Sequence, residues 1–210
     1  MREPSKVAAH PARTAAATFA AVGVGVLIAT QVRINGELGA RLGDGFTAAA
    51  ISFGSGLAAV TLALLALPGG RRGLGRVVGA VRTRAVPWWY VLGGAGGAMF
   101  VLGQGLLGAI LGVALFTVGI VAGQTASSLA IDRRGLGTMP PRRATPQRIV
   151  GAVLAVAAVV VAAVGDLRAS APIALLLVPV VIGVLQAAQS ALNGQVREVA
   201  GSATTATFVN

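Results

Sequence analysis

Six carboxamide side chains are the groups whose placement could carry a function here: Gln31, Asn35, Gln124, Gln186, Gln189 and Asn193, all within or at the ends of apolar runs. A carboxamide offers donors and acceptors but no proton that titrates near neutral pH, so it can bind, orient or gate a polar solute without shuttling protons. The acids keep to the ends of the runs, at Glu37, Asp44, Asp132 and Asp166, and the single histidine, His10, sits in the N-terminal segment. With no cysteine, and only serines and threonines beside the amides, neither a nucleophile with its base nor a metal ligand set can be assembled. No catalytic residue, cofactor or metal is expected. A polar side chain in lipid needs a partner or a water-filled cavity. The six amides therefore read as lining or gating a solute pathway; the competing reading is interhelical hydrogen bonding, worth roughly 0.6–2 kcal/mol each.

Two of these amides recur with their surroundings. Gln31-Val-Arg-Ile-Asn35-Gly36 returns as Gln189-Ser-Ala-Leu-Asn193-Gly194, and the stretch 25–48 laid on 183–206 agrees at ten of twenty-four positions. This is an internal repeat at an offset of 158 residues. Each copy ends an apolar run of about twenty residues, so the repeating unit is a membrane helix and its exit.

The chain has 210 residues, of which 55% are hydrophobic and 11% charged, with a mean hydropathy of +0.82. Such numbers describe an integral membrane protein. A net charge of +11 could suggest nucleic acid, but the basic residues lie between apolar runs and no aromatic stacking platform accompanies them, so no nucleic-acid partner is expected.

The expected elements follow from the apolar runs. Residues 1–13, containing Pro4 and Pro11, read as a solvated tail. Span 1 covers Thr14–Val32 and leads into a neutral polar loop, Arg33–Gly45; span 2 covers Phe46–Leu67 and stops at Pro68-Gly-Gly. Arg71, Arg72, Arg76, Arg82 and Arg84 alternate with Leu74, Val77, Val78 and Val81 at helical spacing, which suits either a short basic helix on anionic lipid or a topogenic loop that only sets orientation. Trp88, Trp89 and Tyr90 beside these arginines read as interface anchors. The uncharged run that follows is long enough for two crossings. A reversal at Gly103–Gly108 would give span 3 about Trp88–Leu102 and span 4 about Leu111–Ile131. Gly93 and Gly97, and Gly119 and Gly123, present small-xxx-small faces for close helix packing; they lack the spacing of a nucleotide loop. A second basic loop runs Asp132–Arg148, with Thr145-Pro146 opening span 5, about Ile149–Val164. A short link at Gly165–Arg168 precedes span 6, Pro172 to about Leu192, kinked at Pro179.

With six crossings every positively charged loop falls on one side, which the positive-inside rule makes cytoplasmic, N-terminus included. Five spans separate the two repeat starts, so the repeats enter the membrane in opposite directions. The expected fold is all-α: a polytopic helical membrane protein with six transmembrane helices and an inverted five-helix repeat, first unit 14–168 and a second, incomplete one 172–210.

Several of these residues together resemble the drug/metabolite transporter superfamily, and within it the YdcZ-like inner-membrane exporters. They are Gln31 with Asn35-Gly36, Ile51-Ser-Phe53, Pro87-Trp-Trp-Tyr90 followed by Gly93-Gly94, Gly123-Gln124 with Ser127, Asp132-Arg-Arg-Gly135, and Thr145 to Gly151. The resemblance implies a five-helix unit that occurs singly, as a dimer or in tandem, so homo-oligomers are compatible with it, and this chain looks like a tandem form lacking helices 7–10. It also implies a secondary transporter exporting a small metabolite or drug-like solute from the bacterial inner membrane by alternating access. The alternative is a membrane scaffold or partner subunit that transports nothing.

Overall fold

The computed structural model describes residues 11–136, 140–141, 145–166 and 173–210. All regular structure among the described residues is helical: α1 (Pro11–Leu42), α2 (Gly45–Ala66), α3 (Pro68–Arg82), a 3-10 turn (Trp88–Leu92), α4 (Gly94–Arg134), α5 (Pro146–Asp166), α6 (Ile173–Ala200) and α7 (Ala203–Val209). Among the described residues, four stretches are long and apolar enough to cross a bilayer: Thr18–Leu42, Gly45–Ala66, Trp88–Arg134 and Leu175–Ala200. The third has 47 residues, about twice what one crossing needs.

That third stretch folds back on itself. Gly112 adopts φ 72° and ψ 165° inside α4, a conformation open to glycine because it has no Cβ. The rings of Phe100 and Phe116 lie 6.1 Å apart, whereas sixteen residues of unbroken helix would separate them by about 24 Å. α4 is thus two arms side by side, residues 94–111 and 113–134. The sequence-based reversal at Gly103–Gly108 is corrected by nine residues or fewer. Gly103, Gln104, Gly105 and Gly108 are buried within the first arm, where Gly105 and Gly108 meet the backbone of Gly39, Gly45 and Gly36. Those glycines serve helix approach, and only Gly112 takes positive φ within α4.

Other boundaries move for local reasons. α1 does not end at Val32; it continues through the expected polar loop to Leu42, supported by a 2.8 Å ion pair between Glu37 and Arg41 one turn apart. Pro11 opens α1 instead of preventing structure, since a proline in the first turn has no amide to lose. Residues 1–10, with His10, lie outside the described residues, as does most of the link before α6. Pro68 likewise starts α3 while Leu67 closes α2. α6 runs past Leu192 to Ala200 with Pro179 inside it. Asp132, at the end of α4, pairs with Arg148 at the start of α5, tying the two across the second basic loop.

The 158-residue repeat reappears as a structural junction. α1 ends at Leu42 and α6 at Ala200; Gly43 and Gly201 follow with φ of 65° and 58°. Asp44 and Ser202 then cap the next helix, each accepting from the amide three residues on, Thr47 at 3.2 Å and Thr205 at 3.3 Å. Ala48 and Ala206, one residue further, are both buried.

Packing centres on α6 against both arms of α4. One core cluster joins Val32, Leu107, Leu111, Phe116, Ile120 and Ile182. A second joins Val77 of α3, Tyr90, Val196, Ala200 and Ala206. Glycine makes the first possible: a Cβ on Gly123 would collide with the Val180 carbonyl, one on Gly183 with the Ile120 carbonyl, and one on Gly119 would stand 2.7 Å from Pro179. Lipid supplies no hydrophobic push between helices, so such backbone approach is the main source of cohesion.

Gly123→Val should lower the thermal midpoint of the detergent-solubilised protein, with overpacking of at least about 1–3 kcal/mol. Gly54→Val, where a Cβ meets nothing within 4 Å, should leave it unchanged; equal midpoints for the two variants would refute this packing scheme. Hydrogen bonds from Thr47 and the Phe46 amide hold the Asp44 carboxyl below its usual value of 3.8. A lowered carboxyl pKa contributes stability above the unfolded value and loses it as pH falls through the folded one. The thermal midpoint should therefore drop below about pH 4 in the native chain more steeply than in Asp44→Asn.

Candidate solute-binding cavity

The two glutamines of the repeat face one cavity. It has a volume of about 560 Å³ and lies among α1, α2, the first arm of α4, α6 and α7. Gln31 comes from α1; Gln189 and Asn193 come from successive turns of α6; Ser52, Thr207 and Asn210 complete the polar lining. Apolar walls are supplied by Phe53, Leu57, Val60, Val101, Phe208 and Val209. Gly94, Ala95 and Ala98 form the floor, and small residues there leave the space open.

Position follows from the glycine faces. A Cβ on Gly97 would come within 2.8 Å of Gln189 Nε2, and one on Gly96 within 2.8 Å of the Leu185 carbonyl. The first arm thus admits α6 closely enough to aim Gln189 along the cavity floor. Gly93 and Gly94 receive Asn210 in the same way. Gln189 Nε2 donates to the Asn210 carbonyl at a long 3.5 Å. Asn193 Oδ1 and Asn210 Oδ1 are buried without a hydrogen-bond partner among the described residues.

Gln124 and Gln186 meet elsewhere. They line a smaller cavity of about 250 Å³ between α1, α6 and both arms of α4, otherwise walled by Ile28, Val32, Phe100, Phe116, Ile120 and Val121. Thr117, also on this lining, has a buried hydroxyl with no partner among the described residues.

Asn35 lines neither cavity. It is 3% exposed, and its Nδ2 donates to Oε1 of Gln104, 0% exposed, at 2.5 Å. This amide pair bolts α1 to the first arm of α4 directly beside the Gly36 and Gly108 contact, where a Cβ on Gly36 would reach the Gly108 carbonyl carbon at 2.9 Å. Gln104 lies in the stretch whose glycines suggest a turn, which hides it from a reading of local pattern. A glutamine inside an uncharged forty-residue run was the available signal. Gln195, 5% exposed, is a second buried amide outside the repeat motif.

The aromatic group divides. Trp88 is 66% exposed, Trp89 is half-buried, and Tyr90 is 2% exposed, packed under α3 and α6 with its ring 4.6 Å from that of Trp89. Tyr90 is therefore corrected from an interface anchor to a core residue: the 3-10 turn points it inward, where it closes the second cluster.

Residues 16–161 match a family model described as "Putative inner membrane exporter, YdcZ". No curated protein and no solved structure matches the chain.

Asn35→Val and Gln104→Met each remove one half of the buried amide pair and leave the other desolvated, a loss of about 1–3 kcal/mol. The double variant should lose less than the sum of the two, read from reversible unfolding in mixed micelles. Strict additivity would mean that the pair is not coupled.

Proposed function

The chain belongs to the YdcZ family of inner-membrane exporters in the drug/metabolite transporter superfamily, and on that premise we propose that it exports a small solute by alternating access around the 560 Å³ cavity. The observation that carries this reading is the convergence of the repeat-related pair Gln31 and Gln189 on that one cavity. Alternating access needs a site shared by two units that can exchange roles, and a repeat supplies them.

Helix directions support two opposed units. Gly45 lies beside Gly105, while residues 52–60 of α2 and 94–101 of α4 share the cavity wall, so α2 runs against the first arm. α1 joins α2 through two residues and crosses that arm where Gly36 meets Gly108 and Gly39 meets Gly105; in the proposed scheme it enters the membrane from the same side as that arm. α6 runs against that arm, because Gly96 meets Leu185 and Gln189 while Gly103 meets Ile182. The proposed scheme has α1 and α6 traverse the bundle in opposite senses, as an inverted repeat requires. Counting the two arms of α4 and α5 separately gives six crossings. The second arm returns to the end where the first began, so Arg133 and Arg134 join the arginines of α3 on one side. By charge that side is the cytoplasm, with the N-terminus. There Arg71, Arg72, Arg82 and Arg84, all exposed, face anionic lipid headgroups. The apolar side of α3 is taken up by α6 and α7 through Val77, which fixes the height of those charges. Arg76 differs, with its guanidinium beside Gly201 at the C-terminal end of α6, where a cation is favoured.

Purified protein in liposomes should release entrapped labelled solutes faster than protein-free vesicles, and Ala98→Trp, which fills the cavity floor, should abolish the release while leaving gel-filtration behaviour unchanged. Unaltered release in Ala98→Trp would remove the cavity from the pathway. Because the sequence has no cysteine, single variants report topology directly: Arg72→Cys and Arg133→Cys should label from the cytoplasmic side and Leu42→Cys from the other. Labelling of Arg72→Cys and Arg133→Cys from opposite sides would break the six-crossing scheme.

A further inference from the structure

The smaller cavity, about 250 Å³ between α1, α6 and both arms of α4, shares no lining residue with the cavity proposed above for export. It lies at the depth of the hydrocarbon. Gly25 is seven residues inside the span that starts at Thr18, roughly 10 Å along the helix, and Gln124 is ten residues short of Arg134, roughly 15 Å. Side chains exposed at that depth meet acyl chains and not water. Gly25, Ile28 and Val121 are exposed on the rim of the cavity, whereas Val32, Phe116 and Ile120, at 1%, 0% and 5% exposure, close its inner wall. The cavity therefore opens sideways onto the bilayer, between α1 and the second arm.

Its lining combines two chemistries. The rings of Phe100 and Phe116, 6.1 Å apart and tilted by 39°, make an aromatic corner, and Gln124 and Gln186 bring two carboxamides. Neither carboxamide makes a hydrogen bond among the described residues. Neither is sealed off: both residues are half-buried, and unlike the Thr117 hydroxyl their polar atoms keep accessible surface. A carboxamide at this depth that has no partner in the protein takes one from a bound molecule. It offers donor and acceptor alike, so it selects for a polar group of either kind. An acyl chain brings none and would leave both amides unpaired. An ion would lose its hydration to a lining that carries no counter-charge. Volume then sets the size, since an apolar cavity of roughly 150 Å³ holds benzene and this one has space for a second fused ring.

We infer that this cavity is a further binding site, entered from the bilayer, for an uncharged aromatic molecule of one or two rings that carries one hydrogen-bonding group. The rings lie against Phe100 and Phe116 and the polar group at Gln124 and Gln186. The site stands apart from the export reading, because it is tested by binding without flux. The full chain in phosphatidylcholine nanodiscs at pH 7 is titrated with 5-fluoroindole and followed by fluorine NMR, with empty nanodiscs giving the signal of the lipid-dissolved probe. A saturable protein-bound resonance is expected. At equal concentration in the lipid, 2-naphthol should displace it at least about tenfold more effectively than naphthalene, which has the same rings and no polar group. Gln124→Leu combined with Gln186→Leu should weaken 2-naphthol about tenfold and leave naphthalene unchanged, a split that a purely structural role for the amides would not produce. Gly25→Phe, where a Cβ meets nothing within 4 Å, should occupy the mouth and remove the resonance without lowering the thermal midpoint. A lipid carrying a nitroxide at mid-chain should broaden the bound resonance more than a water-soluble gadolinium chelate does. The inference would be overturned by the absence of a saturable resonance, by equal displacement with 2-naphthol and naphthalene, by survival of the resonance in Gly25→Phe, by its loss in Ala98→Trp, or by stronger broadening from the aqueous chelate. Failure of solute release from liposomes would overturn the export reading alone.

Discussion

Between helices in lipid there is no water to expel, so association depends on how near two backbones can come. In this protein that condition is met chiefly where α6 lies in the angle between the two arms of α4. Gly119 and Gly123 of the second arm receive Pro179, Val180 and Gly183; Gly96 and Gly97 of the first receive Leu185 and Gln189. The remaining architecture follows from that approach. It sets the height of Ile182 in the main core, the direction of Gln189 and Asn193, and the place where the end of α6 meets α3.

The same constraint explains why the amides are sorted as they are. Asn35 and Gln104 sit beside close glycine contacts and answer each other across the helix pair. Gln31, Gln189 and Asn193 sit where Ala95 and Ala98 are too small to fill the space between helices. A carboxamide joins two helices in the first setting and lines a cavity in the second. The residue type is identical, and the packing density around it decides the role.

At the end of the bundle where α6 meets α7, α3 combines two roles in one short helix. Val77 enters the cluster of Tyr90, Val196 and Ala200, and Thr205 of α7 donates to the Gly70 carbonyl at 2.8 Å. Gly73 allows this, since a Cβ there would strike the Thr205 hydroxyl. The arginines left on the outer side are thereby carried by a helix anchored to α6 and α7, so charge and core packing are set by one element.

Membrane class, helical content and the 158-residue repeat are legible in the residues alone. Hydropathy and helix length respond to the bilayer, and the exits after α1 and α6 are local, each written in a glycine followed by a capping side chain. The period of arginines and aliphatics in α3 suits a helix but equally a topogenic loop, and its packing against α6 and α7 decides between them. The reversal at Gly112, the pairing of Asn35 with Gln104 and the burial of Tyr90 were not legible. Several glycines in the run from Gly93 to Gly123 could have turned the chain, and the choice among them rests on which meet another backbone far away in sequence. Which amides share a cavity likewise depends on the crossing of α1, α4 and α6, a relation among residues tens to more than a hundred positions apart that local pattern does not contain.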